Sequence, residues 1–404
     1  MRIALLSYEY PPKTGFGGIG TYAWYQARAL AQLGHEVRVI AGRLQPGVSH
    51  EEEDGVKITR VLDPGHWNPA VIGLREAGMG WASNRLQTAA SAFIALRDAM
   101  EVEDFDIVEY PECGADGMIV STMLPITTAV RFHSPAALIM GDYGADERDM
   151  ETTTFFEQVG INHADVRVAP SRFLATEVVN RLAVPSPVHV VRNGIDLELL
   201  DREKTIDVVE RFGLPAKGAV TILFSSRLER RKGVHMLAEI AREILSRYPH
   251  VHFVVAGDDL YDSVKNGIGP DLQARGLGNR FHAIGRVTLQ EVRSLLRYVD
   301  IHLLPTLWEN SPYACIEAMA SSRAVLSSDS TGMPELVRDG VNGLTARTGD
   351  TTTFVQQLAC LIEDRELRER LGSNARHTVE VEYSAKATAM HTVDVWRTAI
   401  VVGT

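Results

Sequence analysis

The sequence predicts an α/β protein of two Rossmann-like, doubly wound parallel-sheet domains facing across a cleft. Three observations predict it. Short apolar, β-branched runs alternate with helical patterns along the chain, and repeated β-α-β units build parallel sheets covered by helices on both faces. The pattern restarts near residue 218. The 404 residues, 45% of them hydrophobic, are ample for two cores and too long for one typical domain.

In the first half the strand candidates are Ile3–Ser7, Val37–Ala41, Val56–Val61, Asp106–Tyr110, Thr127–Phe132, Val166–Ala169 and Val188–Val191. In the second half they are Val220–Ser225, Val251–Ala256, Arg280–Ile284, Asp300–Leu304 and Ala324–Ser328. Their continuity is that of strands buried on both faces. Helical patterns lie between them, such as Tyr22–Leu33, stopped by Gly34, and His235–Arg247, stopped before Pro249. Thr288-Leu289-Gln290-Glu291 is a capping box that opens another helix. The stretch from about 184 to 218, with Pro185, Pro187 and Pro215, reads as the interdomain connection. The last helical stretch, around Ala385–Val401, follows a second domain that is already complete and is free to pack on either.

Composition excludes several classes. A net charge of −11 argues against nucleic acid as a partner, because phosphate backbones require clustered Lys and Arg. Cys113, Cys315 and Cys360 are odd in number and far apart, which predicts free thiols in a reducing compartment and no metal site. Met1–Ser7 is apolar but too short for a signal core or a membrane span. The expectation is a cytoplasmic protein with no transmembrane segment, compatible with a homodimer.

Chemistry concentrates at a few connections. In Leu307-Trp308-Glu309-Asn310-Ser311-Pro312-Tyr313-Ala314-Cys315-Ile316-Glu317, Ser311 reads as an N-cap and Pro312 as the first helical residue. Glu309 is then in the incoming loop and Glu317 inside the helix. Two carboxylates beside a helix N-terminus suit a ligand with an anionic group and several hydroxyls. A sugar nucleotide has both, so Glu309, Asn310, Ser311, Pro312 and Glu317 are candidate donor contacts. The connection Ser225-Ser226-Arg227-Leu228-Glu229-Arg230-Arg231-Lys232-Gly233 runs from a strand's carboxyl end to a helix start. Arg227 and Lys232 repel each other and the helix dipole there unless an anion such as a diphosphate joins them; a solvated basic turn is the alternative.

Gly15-Phe16-Gly17-Gly18-Ile19-Gly20 spells a dinucleotide fingerprint. It stands too far from the first strand, and the second strand ends Ala41-Gly42-Arg43 without an acidic residue for a ribose. Gly17 and Gly18 instead offer bare backbone to a phosphate or sugar, or form a glycine-rich turn without ligand. His133 ends a strand on the cleft side. Arg192-Asn193-Gly194-Ile195-Asp196 reads as an Asn-Gly turn at the domain junction. Gly332-Met333-Pro334-Glu335 starts a short helix whose amides face the same ligand. Asp104-Phe105-Asp106, a D-x-D string, lies at the wrong end of its strand to hold a metal under a diphosphate. Asp258-Asp259 lacks companions at ligand spacing, and His250 with His252 reads as surface.

Together these residues resemble the family 4 retaining glycosyltransferases of GT-B architecture, and the resemblance covers nearly the whole chain. Its markers run in order: Gly17-Gly18-Ile19-Gly20, His133, Arg192 to Asp196, Arg227 with Lys232-Gly233, the E-x7-E pair Glu309 and Glu317, and Gly332 to Glu335. The resemblance implies an acceptor-side domain of 1–195 plus 385–404 and a donor-side domain of 196–384. It implies that Arg227 and Lys232 neutralise the donor diphosphate, that Glu317 accepts from the ribose, and that Glu309 contacts the transferred sugar. His133 and the Gly17-Gly18 loop would close on sugar and phosphate. The base would be read around Gly285-Arg286-Val287, making Arg286 and Val287 donor contacts, with UDP- or GDP-linked sugars as donors and no cofactor. The acceptor, a small molecule, glycan or lipid-linked sugar, is expected near Glu112, His133 and Pro135–Asp149. Transfer in the family retains anomeric configuration without a metal. The chain departs from it at Asn310-Ser311-Pro312, where Gly-Phe-Gly is common, and at Ser321-Ser322-Arg323-Ala324-Val325, where Cys-Gly-x-Pro-Val is common. A sugar-nucleotide epimerase, an NADP-dependent oxidoreductase and a silent sugar-binding module are the competing readings.

Overall fold

A computed structural model of the chain describes residues 1–15, 17–63, 68–216 and 218–400. Phe16 of the glycine run and Val401, at the end of the last predicted helix, lie outside the described residues. The chain forms two compact units, Met1–Asp196 with Ala385–Thr404, and Leu197–Ser384.

The first unit holds an eight-stranded sheet ordered β3-β4-β2-β1-β5-β6-β7-β8. Its strands are β1 (Arg2–Ser7), β2 (Glu36–Gly42), β3 (Gly47–Glu53), β4 (Val56–Leu62), β5 (Ile107–Pro111), β6 (Thr128–Arg131), β7 (Val166–Ala169) and β8 (His189–Val190). All pair parallel except β3, which pairs antiparallel with β4. Ile3, Leu5, Val37, Val39, Ile58, Ile107 and Val168 are buried between the covering helices. One cover is the helix Gly18–Gln32, which starts inside the glycine run, earlier than the Tyr22 start that its hydrophobic pattern suggests. Another is the terminal helix Ala385–Ile400, which buries Ala389, Val393 and Trp396 in the same core. Gly194 lets the chain pass this helix: a Cβ there would lie 2.1 Å from Thr388 Oγ1.

The second unit holds a parallel six-stranded sheet ordered β11-β10-β9-β12-β13-β14. Its strands are β9 (Val220–Ser225), β10 (Val251–Ala256), β11 (Phe281–Gly285), β12 (Ile301–Leu304), β13 (Ala324–Ser328) and β14 (Leu344–Ala346). Ile222, Phe224, Val251, Phe253, Ile301, Leu303 and Leu326 pack against Leu237, Ile240 and Ile244 of the helix Val234–Arg247 and against Phe354 and Leu358 of the helix Thr351–Glu363. The Thr288–Glu291 capping box forms in full.

Strand order reverses beside β1 and β5 in the first sheet and beside β9 and β12 in the second. At such switch points the connections leave in opposite directions and open a crevice at the carboxyl ends of the strands. Gly17, Gly18, Glu112, Arg227, Lys232 and Glu309 sit in the connections after these four strands, while His133 follows β6, Arg286 follows β11 and Gly332 follows β13. Asp104 and Asp106 are at the opposite end, where Asp106 accepts the Arg2 amide and Asp104 pairs with the Arg2 guanidinium.

Candidate active site

In the second unit the connection after β9 forms a single turn, Arg230–Lys232, before the helix Val234–Arg247. Gly233 joins them at φ +84°, and a Cβ there would lie 2.0 Å from the Pro305 carbonyl oxygen. A bare backbone is therefore required, and it brings the basic turn against the loop after β12. The Leu307 amide donates to the Arg231 carbonyl at 2.8 Å. Gly332 plays the same part on the other side: its amide donates to the Glu309 carbonyl at 2.8 Å, and a Cβ would lie 1.8 Å from the Asn310 carbonyl oxygen.

These close approaches gather charge. Lys232 Nζ is in contact with the Glu309 carboxylate. Arg231 donates to Glu229 Oε1 at 2.9 Å and to the Trp308 carbonyl at 3.1 Å, and lies 3.4 Å from Glu309 Oε1. Arg227 approaches Glu229 Oε1 at 3.6 Å, with half of its side chain in solvent. Three cations thus face two carboxylates, an excess of positive charge at a strand's carboxyl end. Burial first, and then Arg231, push the Lys232 ammonium well below its ordinary range, against the pull of Glu229. The helix Val234–Arg247 has glycine at its N-cap, so no side chain caps its first amides. An anion placed there would meet amides, dipole and cations together.

The helix after Glu309 runs Tyr313–Ala320 and is capped by Pro312 with no side-chain hydrogen bond. This corrects the predicted Ser311 N-cap and the helical start at Pro312. The Asn310 side-chain oxygen accepts the Ser311 amide instead, and that local turn delays the helix. Glu317 is buried, and its Oε1 has no hydrogen-bond partner among the described residues. Burial raises its pKa to about 7, with Arg293 opposing and Glu203 reinforcing. Arg293 is itself buried and pairs with Glu203 at 2.9 Å. Arg286 and Val287 follow β11 at the sheet's outer edge, where the mostly exposed Arg286 lies 3.9 Å from Asp258.

In the first unit His133 follows β6 and is buried. Its ring meets that of Tyr22 edge-on at 5.2 Å, and the Tyr22 hydroxyl donates to Glu109 at 2.7 Å. Burial, with Arg131 assisting, lowers the His133 pKa to about 3, so the imidazole is neutral. Glu112 does not face outward as an acceptor contact should. It is buried, and its carboxylate accepts the amides of His133 at 2.8 Å and Ser134 at 2.6 Å. Its role is to position the His133 turn, because a buried carboxylate needs donors and the backbone supplies them. Gly17 caps the helix Gly18–Gln32, and Glu9 reaches over that end, accepting the Gly20 amide at 3.4 Å. Gly18 is open, with nothing within 4 Å of a Cβ placed there.

Comparisons with known proteins decide the family. Residues 16–199 match the Glycosyltransferase Family 4 description, and residues 209–378 match Glycosyl transferases group 1. The chain belongs to the family 4 GT-B glycosyltransferases. It is 28% identical over 429 residues to an MMP alpha-(1->4)-mannosyltransferase of Mycolicibacterium hassiacum, covering 99% of this chain and 98% of that protein. It is 25% identical to an alpha-maltose-1-phosphate synthase of Mycobacterium tuberculosis, covering 98% and 99%. In fold it is similar to a sucrose-phosphate synthase from Thermosynechococcus elongatus, with a TM-score of 0.78 at 18% identity over the whole of both chains. HepE of Anabaena, solved in complex with UDP-glucose, has a TM-score of 0.70 at 18% identity and covers 98% of this chain and 100% of that one.

Within this glycosyltransferase the sequence reading missed Arg231, Glu229 and Arg293. Arg231 was hidden in a run of three basic residues, Arg230 to Lys232, whose spacing does not say which one points inward. Among the described residues no helix is long and apolar enough to cross a membrane, and no group of three or more His, Cys, Asp or Glu is placed to hold a metal.

Proposed function

We propose that the chain transfers a hexose-type sugar from a nucleoside diphosphate sugar to an acceptor hydroxyl, with retention of anomeric configuration and without a metal. The observation that carries this reading is the cation cluster of Arg227, Arg231 and Lys232 beside an uncapped helix N-terminus. The acceptor oxygen bonds the anomeric carbon as the bond from that carbon to the diphosphate breaks. The bonding pair leaves with the diphosphate, and the hydroxyl proton passes to a phosphate oxygen on the same face. Negative charge grows on the diphosphate, and fixed cations stabilise it most in the transition state. Arg227 and Lys232 supply that charge, the role a metal fills elsewhere.

Glu317, buried with an oxygen that lacks a partner, suits ribose hydroxyls, which donate to a carboxylate. Glu309 contacts the transferred sugar, and Asn310, Ser311 and Pro312 line its loop. His133, neutral and buried, keeps a hydrogen-bonding imidazole in the first unit. The donor is UDP- or GDP-linked; support for the UDP-linked choice comes from HepE, whose solved complex contains UDP-glucose. The test is product stereochemistry: α-linked UDP- and GDP-hexoses are incubated with the chain and candidate acceptors, and the new anomeric centre is assigned by NMR coupling. An α-linked product is expected. A β-linked product, or epimerised donor without transfer, overturns the reading.

A further inference from the structure

The first unit contains a cavity of about 270 Å³ at the switch point of its sheet. Tyr8 and Glu9 line it from the connection after β1, and Cys113 and Asp116 from that after β5. Asn84 and Arg85 close it from the helix Gly80–Met100. Its volume is just below the low end of small-molecule sites, roughly 300–1,000 Å³, which suits one ring. Asp116 is 3% exposed. Its Oδ2 accepts the Tyr8 amide at 3.0 Å, while Oδ1 has no partner among the described residues. Arg85 lies 5.4 Å from the centroid of the Trp81 ring, and its buried Nε is likewise without a partner among those residues.

The charge pattern selects among ligands. The wall carries one cation and two carboxylates, Glu9 and Asp116. Arg85 is therefore already balanced, and a phosphate would bring two more negative charges against the carboxylates. A neutral polyol meets none of this repulsion. Its hydroxyls donate to Asp116 Oδ1 and accept from Arg85 Nε and the Asn84 amide, satisfying groups that are costly to leave unpaired.

We propose that this cavity is the acceptor subsite and that it takes an uncharged polyhydroxylated ring, a sugar or cyclitol, in preference to a phosphorylated or amino-substituted one. The proposal rests on the transferase reading above. It moves the acceptor from Glu112 to Asp116, Arg85 and Asn84.

Wild-type chain is given the nucleotide sugar it turns over, with glucose, mannose and myo-inositol as neutral probes. Glucose 1-phosphate and mannose 6-phosphate are the anionic probes, and glucosamine is the cationic one. Products are followed by mass, and nucleotide affinity is measured in parallel by calorimetry. A neutral probe should be glycosylated with a KM at least tenfold below those of the charged probes. Asp116→Asn should raise that KM about tenfold. Asn84→Leu, at an exposed helix position where folding is not at risk, should raise it severalfold. Preference for a phosphate or for glucosamine overturns the proposal. So does a neutral-acceptor KM that neither variant moves, or failure to glycosylate any neutral probe while nucleotide binds. Absence of nucleotide binding by the wild type overturns the transferase reading itself.

Discussion

Replacing Lys232 with Ala tests the electrostatic argument most sharply. Lys232 is one of three cations in the cluster, and the other two cannot replace it. Arg231 is tied to Glu229 at 2.9 Å and to the Trp308 carbonyl at 3.1 Å, so its fork is already directed. Arg227 is half exposed, and solvent weakens its field. Glu309 keeps Arg231 at 3.4 Å in the variant, so no carboxylate is orphaned and the fold should survive. Removing one preorganised donor from the charge that develops in the transition state costs about 3–4 kcal/mol, or roughly 10²–10³ in rate. The loss belongs in kcat, because the charge on the leaving diphosphate is larger in the transition state than in the bound donor. Nucleotide release at saturating donor, with thermal unfolding as a check on folding, measures it. Turnover equal to wild type in a folded variant would refute the assignment.

Glu317→Ala should act differently: ribose contacts change little during the reaction, so nucleotide affinity falls, by about 1–3 kcal/mol for a lost buried hydrogen-bonding group, while kcat changes less. Calorimetric titration with the preferred nucleotide checks this, and wild-type affinity would remove Glu317 from the ribose. A chelator should leave turnover intact, because arginine and lysine supply the positive charge; full dependence on added Mg²⁺ or Mn²⁺ would contradict that. The buried carboxyls of Glu109, Glu112, Asp116, Glu157 and Glu317 have pKa values raised to about 7, 7, 6, 8 and 7. The folded chain holds protons there that the unfolded chain releases, so their stabilising contribution is lost as pH rises through 6 to 8. Glu51, Glu103, Asp201 and Glu291 are shifted down, and their contribution is lost below the ordinary carboxylate range. The difference in unfolding temperature, pH 6 minus pH 8, should therefore be smaller in Glu157→Gln than in the wild type, and an unchanged difference would contradict the burial argument.

Most of the strands that could be read from sequence were those buried on both faces, where burial leaves a continuous apolar run; β8 and β11, only partly buried, were read from shorter runs. β3, Gly47–Glu53, carries Ser, His and three glutamates and is largely exposed; as an antiparallel edge strand it needs no apolar signature. β14 has only three residues, too few for a pattern to show. The glycine run was readable as a close backbone approach, but not as the first turn of a helix, because glycine carries little helical signal. In the site, Arg227, Lys232 and Glu309 stood out as charged residues in the connections after strands, and Glu317 by its spacing from Glu309. Glu112 misled because its position after β5 is right while its carboxylate is turned inward to the amides of His133 and Ser134. The cavity wall had a readable trace. Asn84, Gln87 and Thr88 recur at helical spacing along one side of an alanine-rich stretch, a polar stripe where a plain core helix would be apolar.

The most direct measurement is a crystal structure of the chain with a nucleoside diphosphate bound. The account predicts diphosphate oxygens within hydrogen-bond distance of Arg227 and Lys232 at the start of the helix Val234–Arg247, with the ribose hydroxyls on Glu317. A nucleotide bound elsewhere, or one whose diphosphate leaves the Lys232–Glu309 contact untouched, would contradict it.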